Sequence, residues 1–206
     1  MAKRGVLLAL EGVDGCGKST QAELLATALR ARGLEVVLTR EPTDSSLGRL
    51  IRDYFQGSER YLSPKEELNL FMANRREHVA EVIDPALAEG KIVISDRYYY
   101  SSVAYQGALG LDPDRIRAQN EVMAVRPDLT VILTLPVAQA LARLSATPQR
   151  ARQVSEDPAY LERVATIYAG LQGPHLRHLD ASGPAPAVHA ALLSLTLEFL
   201  ATVGIV

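Results

Sequence analysis

A parallel α/β sheet with helices on both faces is the fold that this sequence predicts, on three observations. Short apolar runs suited to buried strands alternate with longer stretches of helical period. The first apolar run opens directly into a glycine-rich loop and then a helix. No repeat, low-complexity tract or linker interrupts the alternation. The expected architecture is therefore a P-loop NTPase fold: a five-stranded parallel sheet in a three-layer α/β/α sandwich. It forms one domain over residues 1–206, with a lid segment at about 145–157.

Residues 6–10, VLLAL, read as the first buried strand. The loop after it fits G-x-x-x-x-G-K-[ST] at Gly12, Gly17, Lys18 and Ser19. Its glycines Gly12, Gly15 and Gly17 let the backbone N–H groups of Val13, Asp14 and Cys16 curl around an anion. The first turn of the following helix, with Thr20, adds unpaired N–H groups and a positive dipole end. Lys18 suits the β- and γ-phosphates of a nucleoside triphosphate, and the Ser19 hydroxyl suits Mg²⁺.

A helix is expected over 18–32, with Leu24, Leu25, Ala28 and Leu29 as its apolar stripe and Gly33 just past its end. Residues 34–38 read as a second strand, leading to Thr39-Arg40-Glu41-Pro42. Residues 47–55 read as a helix. Ser63-Pro64-Lys65-Glu66 then predicts a capped helix start, with Pro85 kinking or breaking the helix near Asp84. Residues 91–95, KIVIS, form the third strand, followed by Asp96-Arg97-Tyr98 and a helix over about 101–108. Asp112-Pro113 opens another helix, 129–135 a fourth strand, and Pro136 a helix through Leu144. The stretch 145–157 has no apolar period. Asp157-Pro158 caps a helix that stops at Gly173-Pro174, 176–179 form a weak fifth strand, and the last helix follows Pro186.

Composition narrows the function classes. Twenty-two basic against 24 acidic residues, without runs of one sign, argue against a nucleic-acid-coating protein. The single cysteine, Cys16, excludes an intrachain disulfide framework or a cysteine-built zinc site. It reads as a small residue in a tight loop. The short N-terminal apolar run leads straight into the phosphate loop, so it is not a signal peptide. The apolar C-terminal stretch 187–206 reads as a core or subunit-packing helix rather than a membrane span. A cytoplasmic protein is expected.

Beyond the loop, the chain offers acidic and basic groups in places that suit phosphoryl transfer. Asp96 follows a buried strand, where it can order Mg²⁺; the alternative is a helix N-cap. Arg97 beside it presents a planar fork suited to phosphates. Arg143, Arg150 and Arg152 lie in or beside the basic stretch that could close over a triphosphate. Neither N-K-x-D nor L-S-G-G-Q occurs, which argues against a GTPase switch and a transport ATPase. Arg40, Arg75, Arg76 and Arg97 exceed what a simple ATPase needs. A kinase with a phosphorylated acceptor needs them, because two polyanions must be held together against repulsion.

These pieces together resemble the thymidylate kinase family over nearly the full length. They are LEGVDGCGKSTQ (10–21), TREP (39–42), LFMANRREHV (70–79), ISDRYYYSSVAYQG (94–107) and the basic stretch before Asp157. The resemblance implies ATP- and Mg²⁺-dependent phosphorylation of dTMP to dTDP by a homodimer. The open alternatives are a kinase for another nucleoside monophosphate and a non-catalytic ATP-binding regulator.

The resemblance also implies residue roles. Asp14 faces the acceptor's 3′-hydroxyl. Arg40 holds the dTMP phosphate, in a pocket that Pro42 shapes through a cis bond. Phe71 stacks on thymine, Arg75 donates to a thymine oxygen and Gln106 bonds the base edge. Tyr105 packs on the deoxyribose, Arg97 bridges the phosphates and Asp96 orders Mg²⁺. Ser102 stands where several relatives carry a polar base contact. The absence of a basic residue at Val13, Asp14, Gly15 and Cys16 is similar to the arrangement in which a lid arginine completes the site. Arg152 best matches it, with Arg150 second.

Overall fold

The computed structural model describes residues 4–57, 59–146 and 157–206. Its centre is a five-stranded sheet in the order β2-β3-β1-β4-β5, with every pairing parallel. The strands are β1 (Val6–Glu11), β2 (Val36–Arg40), β3 (Ile92–Asp96), β4 (Leu129–Thr134) and β5 (Leu176–Asp180). All six side chains of β1 are buried, so both faces of the sheet are covered there. Glu11 is buried at the strand's end with the rest.

The helices are α1 (Lys18–Arg30), α2 (Ser46–Gln56), α3 (Pro64–His78), α4 (Asp84–Ala88), α5 (Tyr99–Gly107), α6 (Pro113–Met123), α7 (Val137–Ser145), α8 (Pro158–Gly170) and α9 (Ala185–Thr202). Helix α1 packs on α9, while α5 packs on α3, α6 and α8. The helix starts follow from capping chemistry. Ser45 and Asp157 accept from Gly48 N and Tyr160 N, and Asp112 accepts from two N–H groups of α6. Ser63 and Glu66 form the full capping box of α3.

Several boundaries differ from the sequence expectation. Strand β2 begins at Val36, not Leu34, because it starts where it can pair with Ile92. Leu34 is used instead in the turn around Gly33, donating to Leu29 O. Helix α1 ends at Arg30, and its buried face is Gln21, Ala22, Leu25, Ala26 and Leu29. Leu24 is outside that face and 38% exposed. Pro85 does not break the chain's helical path. A π-helical turn at Val79–Ile83 absorbs it, and helix resumes at Asp84 with Pro85 in its first turn, where its missing N–H is harmless. Helix α5 starts at Tyr99, two residues early, and α8 ends at Gly170, three residues before Gly173. Helix α9 starts at Ala185 and takes in Pro186.

Helix α9 is long and apolar enough to cross a membrane by length and composition. It buries Val188, Leu192, Thr196 and Leu200, and it packs on α1 and β5. The topology puts the carboxyl ends of β1, β2, β3 and β4 at one edge of the sheet, where open α/β sheets bind ligands.

Candidate active site

At that edge lies a cleft of about 830 Å³. The loop between β1 and α1 forms one wall. Gly12 (φ +137°) and Gly15 (φ +83°) cannot be replaced there without collision. A Cβ would run into the carbonyls of Leu133 and Ala140 respectively. Val13 and Cys16 turn their side chains into the core, leaving only their backbone toward a ligand. Lys18 is 5% exposed, and its ammonium donates to the Gly12 and Val13 carbonyls at 2.9 Å each. Ser19 and Thr20 are exposed on the first turn of α1 and line the cleft.

Asp96, the last residue of β3, lies across from α1. Ser19 Oγ donates to its Oδ2 at 2.5 Å, while its buried Oδ1 has no hydrogen-bond partner among the described residues. It is not the cap of α5; Tyr98 holds that place. Among the described residues no group of three or more His, Cys, Asp or Glu could hold a metal. One hydroxyl and one carboxylate with a free oxygen suit Mg²⁺, which takes most of its ligands from phosphates and water.

Arg97 follows with φ +71°, a left-handed conformation unusual for a non-glycine residue. The backbone is pinned on both sides: Arg97 N donates to Leu10 O and its carbonyl accepts from Ser95 Oγ. This turn aims the guanidinium back at the phosphate loop. It pairs with Asp14, bonds Ser101 Oγ at 3.1 Å and lies 5.4 Å above the Tyr105 ring. Tyr105 OH donates to Asp14 Oδ2 and accepts from Asp14 N, both at 3.0 Å. Burial, reinforced by the Asp14 carboxylate, pushes the Tyr105 phenol well above its usual range, so it stays a donor.

Behind Arg97 stands Glu11, fully buried. Its carboxylate accepts from Tyr98 N, Ser101 N, Ser101 Oγ and Tyr168 OH at 2.6–3.0 Å. Burial raises its pKa, opposed by those hydrogen bonds and by the charge of Arg97. The chain Arg97–Ser101–Glu11–Tyr168 thus ties the cleft to α8.

Arg40, Pro42, Phe71, Ser102 and Gln106 also line the cleft. The Glu41–Pro42 bond is cis. Arg40 is exposed and paired with Asp44 at 2.7 Å. Phe71 is half-buried, its ring 5.7 Å from Phe55, which also lines the cleft. Arg143, at the end of α7, borders the cleft and donates to the carbonyls of Ala181, Ser182 and Gly183.

Two placements refine the sequence expectation. Arg75 does not line the cleft; it is 1% exposed. Its guanidinium makes five hydrogen bonds, to Glu41, Ser102 and Asn120. Arg76, its neighbour, is exposed on the other side of α3. Arg150 and Arg152 lie outside the described residues, as does most of the expected lid.

Sequence reasoning missed the buried acids. Glu41 holds Arg75 and His78, Glu67 holds Tyr54 and Gln106, and Glu11 anchors α5. For Glu11 a signal existed: a charged residue closing an otherwise apolar strand.

A profile of the thymidylate kinase family matches residues 10–192. This chain belongs to that family. It is 43% identical to the thymidylate kinase of Desulfotalea psychrophila, over 86% of this chain and 87% of that one. It is 45% identical to that of Xanthomonas campestris pv. campestris, over 95% and 86%. It is 40% identical to that of Akkermansia muciniphila, over 98% and 97%. The family's fold accounts for the parallel sheet and the phosphate loop. Membership also makes the chain a nucleoside monophosphate kinase.

Proposed function

We propose that this protein transfers the γ-phosphoryl group of ATP to dTMP, giving dTDP and ADP. The observation that carries the reading is that one cleft brings together a phosphate loop and further basic, aromatic and amide side chains. Lys18 and Ser19 of the phosphate loop, Arg40, Phe71, Gln106 and Arg97 all line it.

A dTMP phosphate oxygen forms the new bond to the γ-phosphorus as the bond to the β-phosphate oxygen breaks. The acceptor is already anionic, so no general base is required. The protein's work is positioning and charge neutralisation. The phosphate loop's N–H groups and Lys18 hold the donor. Arg97 bridges donor and acceptor, and Arg40 holds the acceptor phosphate after exchanging Asp44 for it. Arg152 or Arg150 brings a further charge from the lid, whose closure excludes water. Ser19 and Asp96 hold Mg²⁺, which supplies neutralisation of the phosphate oxygens' charge. Asp14 orients the deoxyribose and Tyr105 packs against it. The protein acts as a cytoplasmic homodimer, without membrane or nucleic-acid partners.

A coupled ADP-release assay with ATP and Mg²⁺ tests this, offering dTMP, dUMP, UMP, CMP, AMP and GMP separately. Strong turnover on dTMP, weak on dUMP and none on ribonucleotides is expected. Preference for another acceptor overturns the base assignment. Tight ATP binding without any turnover overturns the kinase reading.

A further inference from the structure

Glu67 is buried in α3, at 1% exposure, and does not line the cleft. Its two carboxylate oxygens face different neighbours. Oε1 accepts from Tyr54 OH at 2.8 Å and pairs with the Arg60 guanidinium at 3.2 Å. Oε2 accepts from Gln106 Nε2 at 3.3 Å. Arg60 is itself fixed by stacking, 4.6 Å from the Tyr160 ring and 5.6 Å from that of Phe55. Burial, with Glu67 adding to it, pushes the Tyr54 phenol up to about 12, so Tyr54 remains a donor.

A carboxylate paired with donors accepts and does not give. It therefore takes the NH₂ prong of Gln106 and leaves the carbonyl prong. That oxygen, Oε1, is buried and has no hydrogen-bond partner among the described residues, and Gln106 lines the cleft. Ser102 beside it is fixed in the opposite sense. Arg75 can only donate, so Ser102 Oγ accepts from it at 3.3 Å, and the Ser102 proton has no acceptor among the described residues. The cleft wall thus offers an acceptor next to a donor.

We infer that Glu67 is a positioning residue that sets the polarity of base recognition: by orienting Gln106, it makes the site accept a pyrimidine edge with a ring N–H beside a carbonyl and reject one with a ring nitrogen lone pair beside an amino group. Thymine and uracil have the first edge and cytosine the second. The inference rests on the pyrimidine monophosphate reading given above, which it deepens.

Glu67→Gln tests it because the direction of the change is dictated. Tyr54 presents its hydroxyl hydrogen to the Oε1 position and Arg60 its positive charge, so the introduced amide turns its oxygen there. Its NH₂ then faces Gln106, which must rotate and show its own NH₂ to the cleft. The measurement is kcat/KM for dTMP and for 5-methyl-dCMP, which has nearly the same shape with the edge reversed. The dTMP to 5-methyl-dCMP ratio should fall roughly 10- to 100-fold, the scale of one or two base-edge hydrogen bonds, with KM for ATP unchanged. Tyr54→Phe loosens the same cluster but leaves the carboxylate facing Gln106, so it should lower the melting temperature and keep the ratio.

Equal losses on both substrates in Glu67→Gln overturn the polarity role and leave the kinase reading intact. Absence of dTMP turnover in the unmodified enzyme overturns that reading instead. If Glu67→Gln does not fold, competition binding to the unmodified enzyme decides. 5-Methyl-dCMP should bind at least about 10-fold more weakly than dTMP; affinities within threefold refute the proposal.

Discussion

Glu11 offers the sharpest test of how the site is held together. Four donors converge on its carboxylate: two backbone N–H groups at the start of α5 and the hydroxyls of Ser101 and Tyr168. In Glu11→Ala the Tyr98 N–H loses its acceptor and cannot turn away, while the Ser101 N–H keeps the Tyr98 carbonyl at 3.1 Å. A buried donor left unmade costs about 1–3 kcal/mol. The two hydroxyls lie 3.2 Å apart and can bond each other, so they add little. That loss is a large part of a typical domain's stability of about 5–15 kcal/mol.

Glu11→Gln behaves differently. Its carbonyl still accepts both N–H groups, its NH₂ meets hydroxyl oxygens that can accept, and the burial of a charge is removed. The net change should be within about 1 kcal/mol. Urea denaturation of both variants measures the difference, which should be about 1–3 kcal/mol in favour of Gln.

pH adds a second reading of the same residue. Its folded pKa is raised, so just above pH 4.5 the folded protein holds a proton that the unfolded chain has released. Stability then falls as pH rises through that window, and the Gln variant gains on the wild type there. Turnover should drop at least about 10-fold in Gln, since Ser101 no longer donates to a charge while it holds Arg97. Equal destabilisation by Ala and Gln, or an Ala variant as stable as the wild type, would refute the accounting of donors.

Three further outcomes are expected. Arg97→Ala should lose about 10³-fold or more in kcat with little change in ATP binding measured by calorimetry, because its guanidinium lies in the cleft and not in the phosphate loop. Gly12→Ala should weaken ATP binding by roughly 10- to 100-fold, since its Cβ meets the Leu133 carbonyl at a φ that L-residues avoid. His175 is held below its usual pKa by burial and by Arg126, so the unfolded chain takes up a proton first as pH falls. Thermal stability should therefore decline from pH 7.5 to 5.5, and His175→Asn should flatten that decline in melting curves.

Most of the fold was legible because its signals are local. Apolar runs of five or six residues, the capping box at Ser63 and the proline-marked starts at Pro113 and Pro158 depend on neighbours in sequence. What was not legible depended on pairing partners. The start of β2 is set by Ile92, 56 residues away in the chain. The buried face of α1 is set by what packs on it. The shape of the phosphate loop was equally readable, since its glycines and Lys18 lie within one short stretch. Of the rest, Arg40, Pro42, Phe71, Ser102 and Gln106 were named from sequence and line the cleft, but the burial of Arg75 was not legible. Whether Arg75 meets a ligand or Glu41 is decided by contacts across 34 residues, and no local pattern encodes that.

The buried polar groups explain why the burial of Arg75 resists local reasoning. Glu41, Glu67, Arg75, His78, Ser102 and Gln106 are all buried, and Glu41, Ser102 and Gln106 line the cleft. An apolar core would hold the fold with fewer desolvation penalties, so stability alone does not require this cluster. Each member restricts its neighbour's choice: Glu41 accepts from Arg75, which leaves Ser102 only the role of acceptor toward it. Glu67 restricts Gln106 in the same way. Donor and acceptor directions are thereby settled before a ligand arrives. A rigid, polarised wall is what discrimination between bases of nearly equal size demands, because shape cannot separate an amino group from a carbonyl and hydrogen-bond direction can.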